Sequence, residues 1–380
     1  MRPLEGLLVL DFAQFLAGPW AATRLADLGA RVIKIERPGS GDICRHLYIS
    51  NLSLDGDSTL FHSINRNKQS FAADLKNPAD LAKVKQLIAR ADVLIQNFRP
   101  GVMERIGLDA AACAALNPRL VYGVVTGYGA EGPWREKPGQ DLLAQSVSGL
   151  TWLNGNAGQP PMAFGLSVAD LTASAHLVQG ILAALIRRGV TGKGGLVEVS
   201  LLESVLDLQF ELTTTFLNDG GRRPERSAIN NANAYLGAPY GIYATADGFL
   251  ALAMGSVVRL GELLELPALA GFADPQTWFT RRDEIKQLIA AHLVTQPTQH
   301  WLGRLEPADY WCAEVLDWSR LWKTEAFKQL DFEQDVTRDD GPTLRTTRCP
   351  IRIDGQVYKA SRGAPRVGQH TREIQTEFSL

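Results

Sequence analysis

The sequence predicts an α/β fold, a parallel sheet covered on both faces and followed by a second domain, on three observations. Short apolar runs alternate with helical stretches through the first half of the chain, those runs lack polar alternation, and a turn-rich stretch precedes a hairpin pattern further on. Leu7–Leu10 reads as a short buried strand, and Ala17-Gly18-Pro19 opens a helix, with proline at its first position, that Gly29 ends. Arg31–Glu36 is the next strand, and Arg37–Asp42, with Pro38, Gly39 and Gly41, must be loop. The pattern then repeats. Asn77 caps a helix with Pro78 at its first position and an end near Arg90, Val93–Gln96 is a strand, and Leu120–Val125 is another.

A loop rich in Gly, Asn and Pro, Asn154–Pro161, leads into the longest helical signal of the chain. There Leu171, Ala175, Val178, Leu182 and Leu185 recur at helical spacing and should form the buried stripe, with Arg187, Arg188 and Gly189 as the stop. Val197, Val199 and Leu201 alternate with Glu198 and Ser200 as a strand. Composition shifts at Asn218–Pro239, which reads as a linker, and Tyr240–Ala244 with Phe249–Met254 form a hairpin around Ala246-Asp247-Gly248. The expected division is a large domain over 1–217, a linker over 218–239 and a small domain over 240–326. The closing segment, 327–380, lacks the periodicity for its own core and is expected to return to the large domain.

At 380 residues the chain exceeds one typical domain of ~150 residues. It is 45% hydrophobic and 21% charged, with a net charge of -2, so nothing in the balance draws it to nucleic acid or an anionic membrane. Cys44, Cys113, Cys312 and Cys349 are scattered without a CxxC pair, which supports neither a zinc site nor a disulfide framework and fits a reducing cytoplasm. Asp11 and Gln14 cut short the apolar run Leu7–Leu10, leaving no signal-peptide core, and no membrane span is expected.

Several chemistries lack their residues: there is no HExxH, GxSxG or GxxxxGK[ST], and the six histidines are dispersed. Asp170 and His176 share a predicted helix but lie roughly 120° apart around its axis, so they do not face each other. Glu36, ending a strand, invites a nicotinamide-binding reading, but Phe15–Trp20 offers one glycine where a dinucleotide turn needs three. Asp170, in GLSVADLTAS, has two readings. It closes a capping box with Ser167 as N-cap, or it is a nucleophile kept ionised by a helix N-terminus beside an approachable Gly-rich loop. Spacing does not separate these. Arg37, Lys68, Arg99 and Arg105 each follow a strand end or lie in the loop after it, where a parallel sheet binds ligands, and together they could receive a phosphate-bearing ligand. For any one of them a solvated surface charge is the alternative.

FLAGPWAATRLADLGARVIKIERPGSGD, NRNKQSFAADLKNP, ADVLIQNFRPGVMERIGLD, NPRLVYGVVTGYGAEGP and GLSVADLTASAHLVQGILAAL together resemble the family III CoA-transferases, the CaiB/BaiF family. The resemblance spans essentially the whole chain and is densest in its N-terminal half. It implies a Rossmann-like large domain, a smaller α+β domain, a C-terminal segment that returns to the large domain, and two subunits interlocked as a homodimer. It also implies that Asp170 is the nucleophile, attacking a donor thioester to give a mixed anhydride and then an aspartyl-CoA thioester, with no metal and no cofactor beyond coenzyme A as substrate. The family's CoA contacts carry over onto Ala17, Arg37, Lys68, Asn97, Phe98 and Arg105, with Lys137 a further candidate and Asp141 at an acidic position near the active site.

Two departures bear on the substrate. Leu16 stands where formyl-CoA transferases carry glutamine, and Asn230–Pro239 replaces their run of glycines, which argues against formyl and oxalate specificity. Gln140 stands where related α-methylacyl-CoA racemases carry a histidine, which removes one of the groups needed for proton abstraction. The expectation is a cytoplasmic enzyme moving CoA from an acyl-CoA, of succinyl type, to a small carboxylic acid. A racemase on the same scaffold and a non-catalytic acyl-CoA binding protein are the alternatives.

Overall fold

The computed structural model describes residues 2–47 and 51–380. Six strands, β1 (Leu8–Asp11), β2 (Arg31–Glu36), β3 (Lys68–Ala72), β4 (Val93–Gln96), β5 (Val121–Thr126) and β6 (Gly195–Ser200), form one parallel sheet in the order β3-β2-β1-β4-β5-β6. The order reverses between β1 and β4, so the loops leaving these two strands diverge and open a crevice at their carboxyl ends. Most strand residues are buried because helices cover both faces, which is why the strands read as unbroken apolar runs.

Helices that flank this sheet are α1 (Ala17–Asp27), α2 (Pro78–Ile88), α3 (Ala110–Leu116), α5 (Val168–Thr191) and α6 (Leu201–Asp207), with α4 (Asp141–Val147) lying between α3 and α5 in the chain. Asn77 caps α2 as its spacing predicts, accepting from the amides of Ala79 and Asp80, whereas Pro19 is the third residue of α1 rather than its first. On one face Leu10, Ile33, Leu94 and Tyr122 pack with Val84, Leu87 and Ile88 of α2 and with Ile374 of the C-terminal helix Thr371–Phe378. On the other face lie α1 and α5.

α5 corrects two expectations. Its buried stripe is Ala169, Ala173, Leu177, Ile181 and Ala184, while Leu171 and Ala175 of the expected stripe are exposed. The helix is apolar on both sides, so periodicity alone does not choose a face. The face with small residues is the one that can approach the alanine-rich α1 and the sheet, where a Cβ on Gly180 would lie 2.5 Å from a Val197 methyl. The helix also runs past Gly189 to Thr191, ending on Gly192 in the left-handed region at φ 72°. By length and composition α5 is apolar enough to cross a membrane; it buries this stripe and Arg188 and leaves Ile186 and Val190 exposed.

Beneath the crevice lies a buried ionic network that apolar periodicity cannot reveal. Lys34 donates to the carbonyl of Ala13 and pairs with Asp42 at 2.9 Å. Glu36 takes a bidentate pair from Arg45, which also reaches Asp57 at 2.9 Å, and Arg338 joins Asp57 to Asp55. Glu36 accepts from Ser70 Oγ and the Asp42 amide as well, so its oxygens are taken up inside the protein and no ribose could claim them.

The chain divides into two units, one of residues Met1–Ala144, Ser167–Leu208 and Leu330–Leu380, the other of Gln145–Leu166 and Gln209–Gln329. This departs from the expected boundaries, which put 145–166 in the large domain and make 218–239 a linker between domains. The second unit takes both because they bind each other. Arg226 donates to the carbonyls of Asn154 and Gln159, the Ala157 amide to the Ser227 carbonyl, and the Asn231 amide to Asn156 Oδ1. Its other elements include α7 (Phe210–Asn218), β7 (Gly241–Ala244), β8 (Phe249–Leu252), α8 (Val257–Leu264), α9 (Arg282–Leu293), α10 (Thr298–Leu305) and β9 (Cys312–Glu314). The strands form an antiparallel sheet in the order β9-β8-β7, over a core that includes Tyr243, Leu250, Leu260, Ile289 and Trp301. α9 holds the supposed linker, through Arg282 to the carbonyls of Glu225 and Ala234 and Lys286 to Ser227 Oγ and the Asn230 carbonyl.

Candidate active site

Asn97, the first residue after β4, spans the crevice. Its Oδ1 accepts the Gln14 amide at 2.8 Å and its Nδ2 donates to the Gln14 carbonyl at 2.7 Å, which ties the loop after β1 to the loop after β4. The turn into α1 is tight: a Cβ on Gly18 would lie 2.2 Å from the Ala13 Cβ, and Phe15, half exposed, sits at φ 63°. α1 begins at Ala17 with no side-chain cap and no acidic residue in its first turn, so its free amides present the positive end of the helix dipole at the crevice.

The start of α5 meets this turn. Ser174 Oγ lies 2.6 Å from the Ala17 carbonyl oxygen and 2.8 Å from that of Asp170, one helical turn back. The Asp170 carboxylate takes no hydrogen bond from the described residues. Burial, reinforced by the negative charge of Asp141, pushes its pKa up to about 7.

The capping box expected at Ser167 does not form, since the Ser167 side chain makes no cap hydrogen bond. Asp141 does that work from a distant loop: its Oδ1 accepts the amides of Ala169 at 2.8 Å and Asp170 at 3.2 Å. Asp141 is delivered there by a loop after β5 whose two ends cross backbone to backbone, a Cβ on Gly127 falling 2.6 Å from the Gly139 Cα. An acidic residue two positions after Gly139 is visible in the sequence, but its target, 28 residues on, is not.

Arg37 follows β2 and Arg105 ends the short helix Val102–Arg105; both are exposed and have no ion-pair partner among the described residues. Phe98 lines a cavity of about 300 Å³ with Arg99, Tyr122 and Arg135, and Lys137 is exposed with Nζ 4.9 Å from the centroid of Trp134. Lys68 is a correction. It opens β3 instead of following a strand, is 1% exposed, and donates to Asp11, the Pro19 carbonyl and Asn65 Oδ1, so all three ammonium hydrogens are used internally. Burial pushes its pKa down to about 8 against the pull of Asp11.

Hydrogen bonds thus bring Ala17, Asp141 and Asp170 into one cluster, and Asn97 joins the same turn through Gln14; Arg37, Arg105 and Lys137 stand apart on the surface. His176 points to Ser204 Oγ and Asp207, each at 3.1 Å, rather than to Asp170. That Ser-His-Asp set pins α5 to α6 and, with Ser204 2% exposed, offers no route to a substrate.

A doubly wound sheet with a polar cluster at its switch-point crevice is an architecture that binds ligands, and comparison with known proteins gives the class as CoA-transferase. The chain belongs to CoA-transferase family III, whose family model matches residues 4–371. It is similar to the succinate–glutarate CoA-transferase of Agrobacterium fabrum, at 31% identity over 99% of this chain and 96% of that protein. It is also similar to the succinyl-CoA–D-citramalate CoA-transferase of Chloroflexus aurantiacus, at 36% identity over 99% of this chain and 94% of that protein. A CaiB/BaiF family protein from Brucella suis has the same fold, with a TM-score of 0.85, 30% identity and 99% of both chains covered. The resemblance read from the motifs is therefore correct, and the protein is a CoA-transferase.

Proposed function

We propose that this CoA-transferase works by covalent double displacement through Asp170, with a donor of succinyl-CoA type and a small carboxylic acid as acceptor. The observation that carries the reading is Asp170: half-buried in the first turn of α5, its backbone linked through Ser174 Oγ to Ala17 in the uncapped first turn of α1, and its carboxylate taking no hydrogen bond from the described residues. The Asp170 carboxylate attacks the thioester carbonyl, the C–S bond breaks, and a mixed anhydride and CoA thiolate form. The thiolate attacks the Asp170 carbonyl of the anhydride, which releases the donor acid and leaves an aspartyl-CoA thioester. The acceptor carboxylate and then the thiolate repeat the two exchanges, and Asp170 returns as carboxylate. No proton or electron is gained or lost overall, so a carboxylate nucleophile needs no histidine beside it. The free amides at the start of α1 are suited to stabilise the oxyanion of each tetrahedral intermediate. The exposed Arg37, Arg105 and Lys137 are suited to CoA phosphates, and Phe98 to the adenine or pantetheine. The names of the relatives support the succinyl donor class.

The enzyme on this reading is a cytoplasmic homodimer. α7 has no buried residue in the single chain, with Phe210 67% and Leu217 75% exposed, and the outer face of α5 exposes Ile186 and Val190 at 74% and 88%. Apolar surface of that extent is where a second copy packs. Light scattering of the purified protein should give twice the mass of the chain, and a monomer at micromolar concentration would sink this part.

Intact-mass spectrometry after incubation with succinyl-CoA, followed by hydroxylamine trapping and peptide mapping, tests the chemistry. The expected result is a hydroxylamine-labile CoA adduct on the Asp170 peptide. No adduct from either succinyl-CoA or acetyl-CoA, with CoA still bound, overturns the covalent mechanism; solvent deuterium entering the acyl group would then favour the racemase.

A further inference from the structure

We infer that Asp141 is a positioning residue for the transfer, holding in place the backbone from which the Asp170 carboxyl projects. The inference rests on the covalent reading above and adds a role to it. The Asp170 amide donates to Asp141 Oδ1 at 3.2 Å, and its carbonyl accepts from Ser174 Oγ, which also contacts the Ala17 carbonyl. The amide of the nucleophile residue is therefore held by a side chain from another element, and its carbonyl shares the Ser174 hydroxyl with that of Ala17, while its carboxylate is held by none of the described residues. A group that must reach a thioester carbonyl along one line, with no base to guide it, depends on such fixed placement.

The ordinary way to hold a helix start is an N-cap from the preceding residue. Ser167 is the residue type for it, yet its side chain makes no such bond, and the acceptor comes from Asp141 at the start of α4. Asp141 is 7% exposed, and the Gly127–Gly139 crossing just before it admits no side chain at either position, so the loop that presents it is closely packed. The link of Asp141 to the Ala169 and Asp170 amides sets where α5 begins relative to the sheet end at β5. The resemblance puts Asp141 near the active site, and that pair of bonds gives it a specific task there.

Asp141 acts on Asp170 in two separable ways, as an acceptor for the amides and as a like charge. Among the described residues packed at this point, the first turn of α1 holds no titratable group, α5 contributes Asp170 alone and α4 contributes Asp141, so Asp141 is the charge that Asp170 faces. Asp141→Asn keeps an Oδ1 acceptor and removes the charge, whereas Asp141→Ala removes both.

The test uses the full-length enzyme and its two variants, with the rate of adduct formation from succinyl-CoA, kcat, KM for the acyl-CoA and the pH profile as readouts. Asp141→Ala should lose on the order of 10²-fold in adduct formation and kcat, with KM changed less than about threefold. Asp141→Asn should recover most of that loss, and the acidic limb of its profile should move to lower pH because a like charge has gone. Wild-type rates in Asp141→Ala, or a loss confined to KM in both variants, would overturn the inference. If Asp141→Ala fails to fold, the profile of Asp141→Asn decides: an unmoved acidic limb together with a lost rate rejects it. A wild-type enzyme that forms no adduct on Asp170 refutes the covalent reading and this inference together, whereas a wild-type adduct with an indifferent Asp141→Ala refutes this inference alone.

Discussion

Asp170→Asn should form no adduct with succinyl-CoA and lose transferase activity by on the order of 10³-fold or more, because the amide is a far weaker nucleophile than the carboxylate it replaces. The same variant should be more stable than the wild type at pH 8. Burial raises the carboxyl from its ordinary 3.8 to about 7, so the folded protein keeps a proton that the unfolded chain has released. That contribution is fully present below about pH 4 and is lost as pH climbs through about 7. The gap corresponds to at most about 4 kcal/mol; since the side chain is partly open to solvent, about 2 kcal/mol is expected. Thermal melts at pH 5 and pH 8 check it: the advantage of Asp170→Asn should be larger at pH 8, and an advantage independent of pH would mean that Asp170 is not strained by ionisation. The wild type, whose nucleophile must be ionised, should lose kcat/KM as pH falls below about 7.

Arg45→Ala should produce the largest loss of stability, about 3–5 kcal/mol, read from the urea midpoint. Arg45 is 2% exposed, pairs in bidentate fashion with Glu36, reaches Asp57 at 2.9 Å, donates to the Pro365 carbonyl and stacks 3.7 Å over the Phe61 ring. Removing it leaves Glu36 at 3% and Asp57 at 8% exposure with their charges partly uncompensated. Arg45→Lys should rescue little, since an ammonium cannot reproduce the planar fork. A cost under 1 kcal/mol for Arg45→Ala would show that the network is solvated in solution. Activity should fall as well, because Asp42, whose amide donates to Glu36, also pairs with Lys34, and Lys34 holds the Ala13 carbonyl in the turn before α1.

What was legible in the sequence was local or carried by long motifs. Apolar runs without polar alternation predicted a parallel sheet because strands buried on both faces need nothing else. Asn77-Pro78 predicted a helix start because a cap acts over two or three residues. Asp170 was singled out by its motif and by its place near a helix N-terminus, while spacing left open whether it capped or reacted.

The tertiary structure decided everything that depends on a partner far along the chain. It chose the small-residue face of α5 for burial because only that face allows close approach to α1 and Gly180 to Val197. It enclosed Lys68, read as a phosphate ligand, among three acceptors, and it engaged Glu36, whose nicotinamide reading already lacked its glycines, with Arg45 and Ser70. A charge in a sequence looks the same whether solvent or a buried counter-charge will meet it, since the difference lies in desolvation and geometry that arise only when strands distant in sequence become neighbours. Asp141 shows this most directly: its residue type and position were plain from the start, and its bond to the amide of Asp170 exists because β5, a glycine crossing and α5 converge at one end of the sheet.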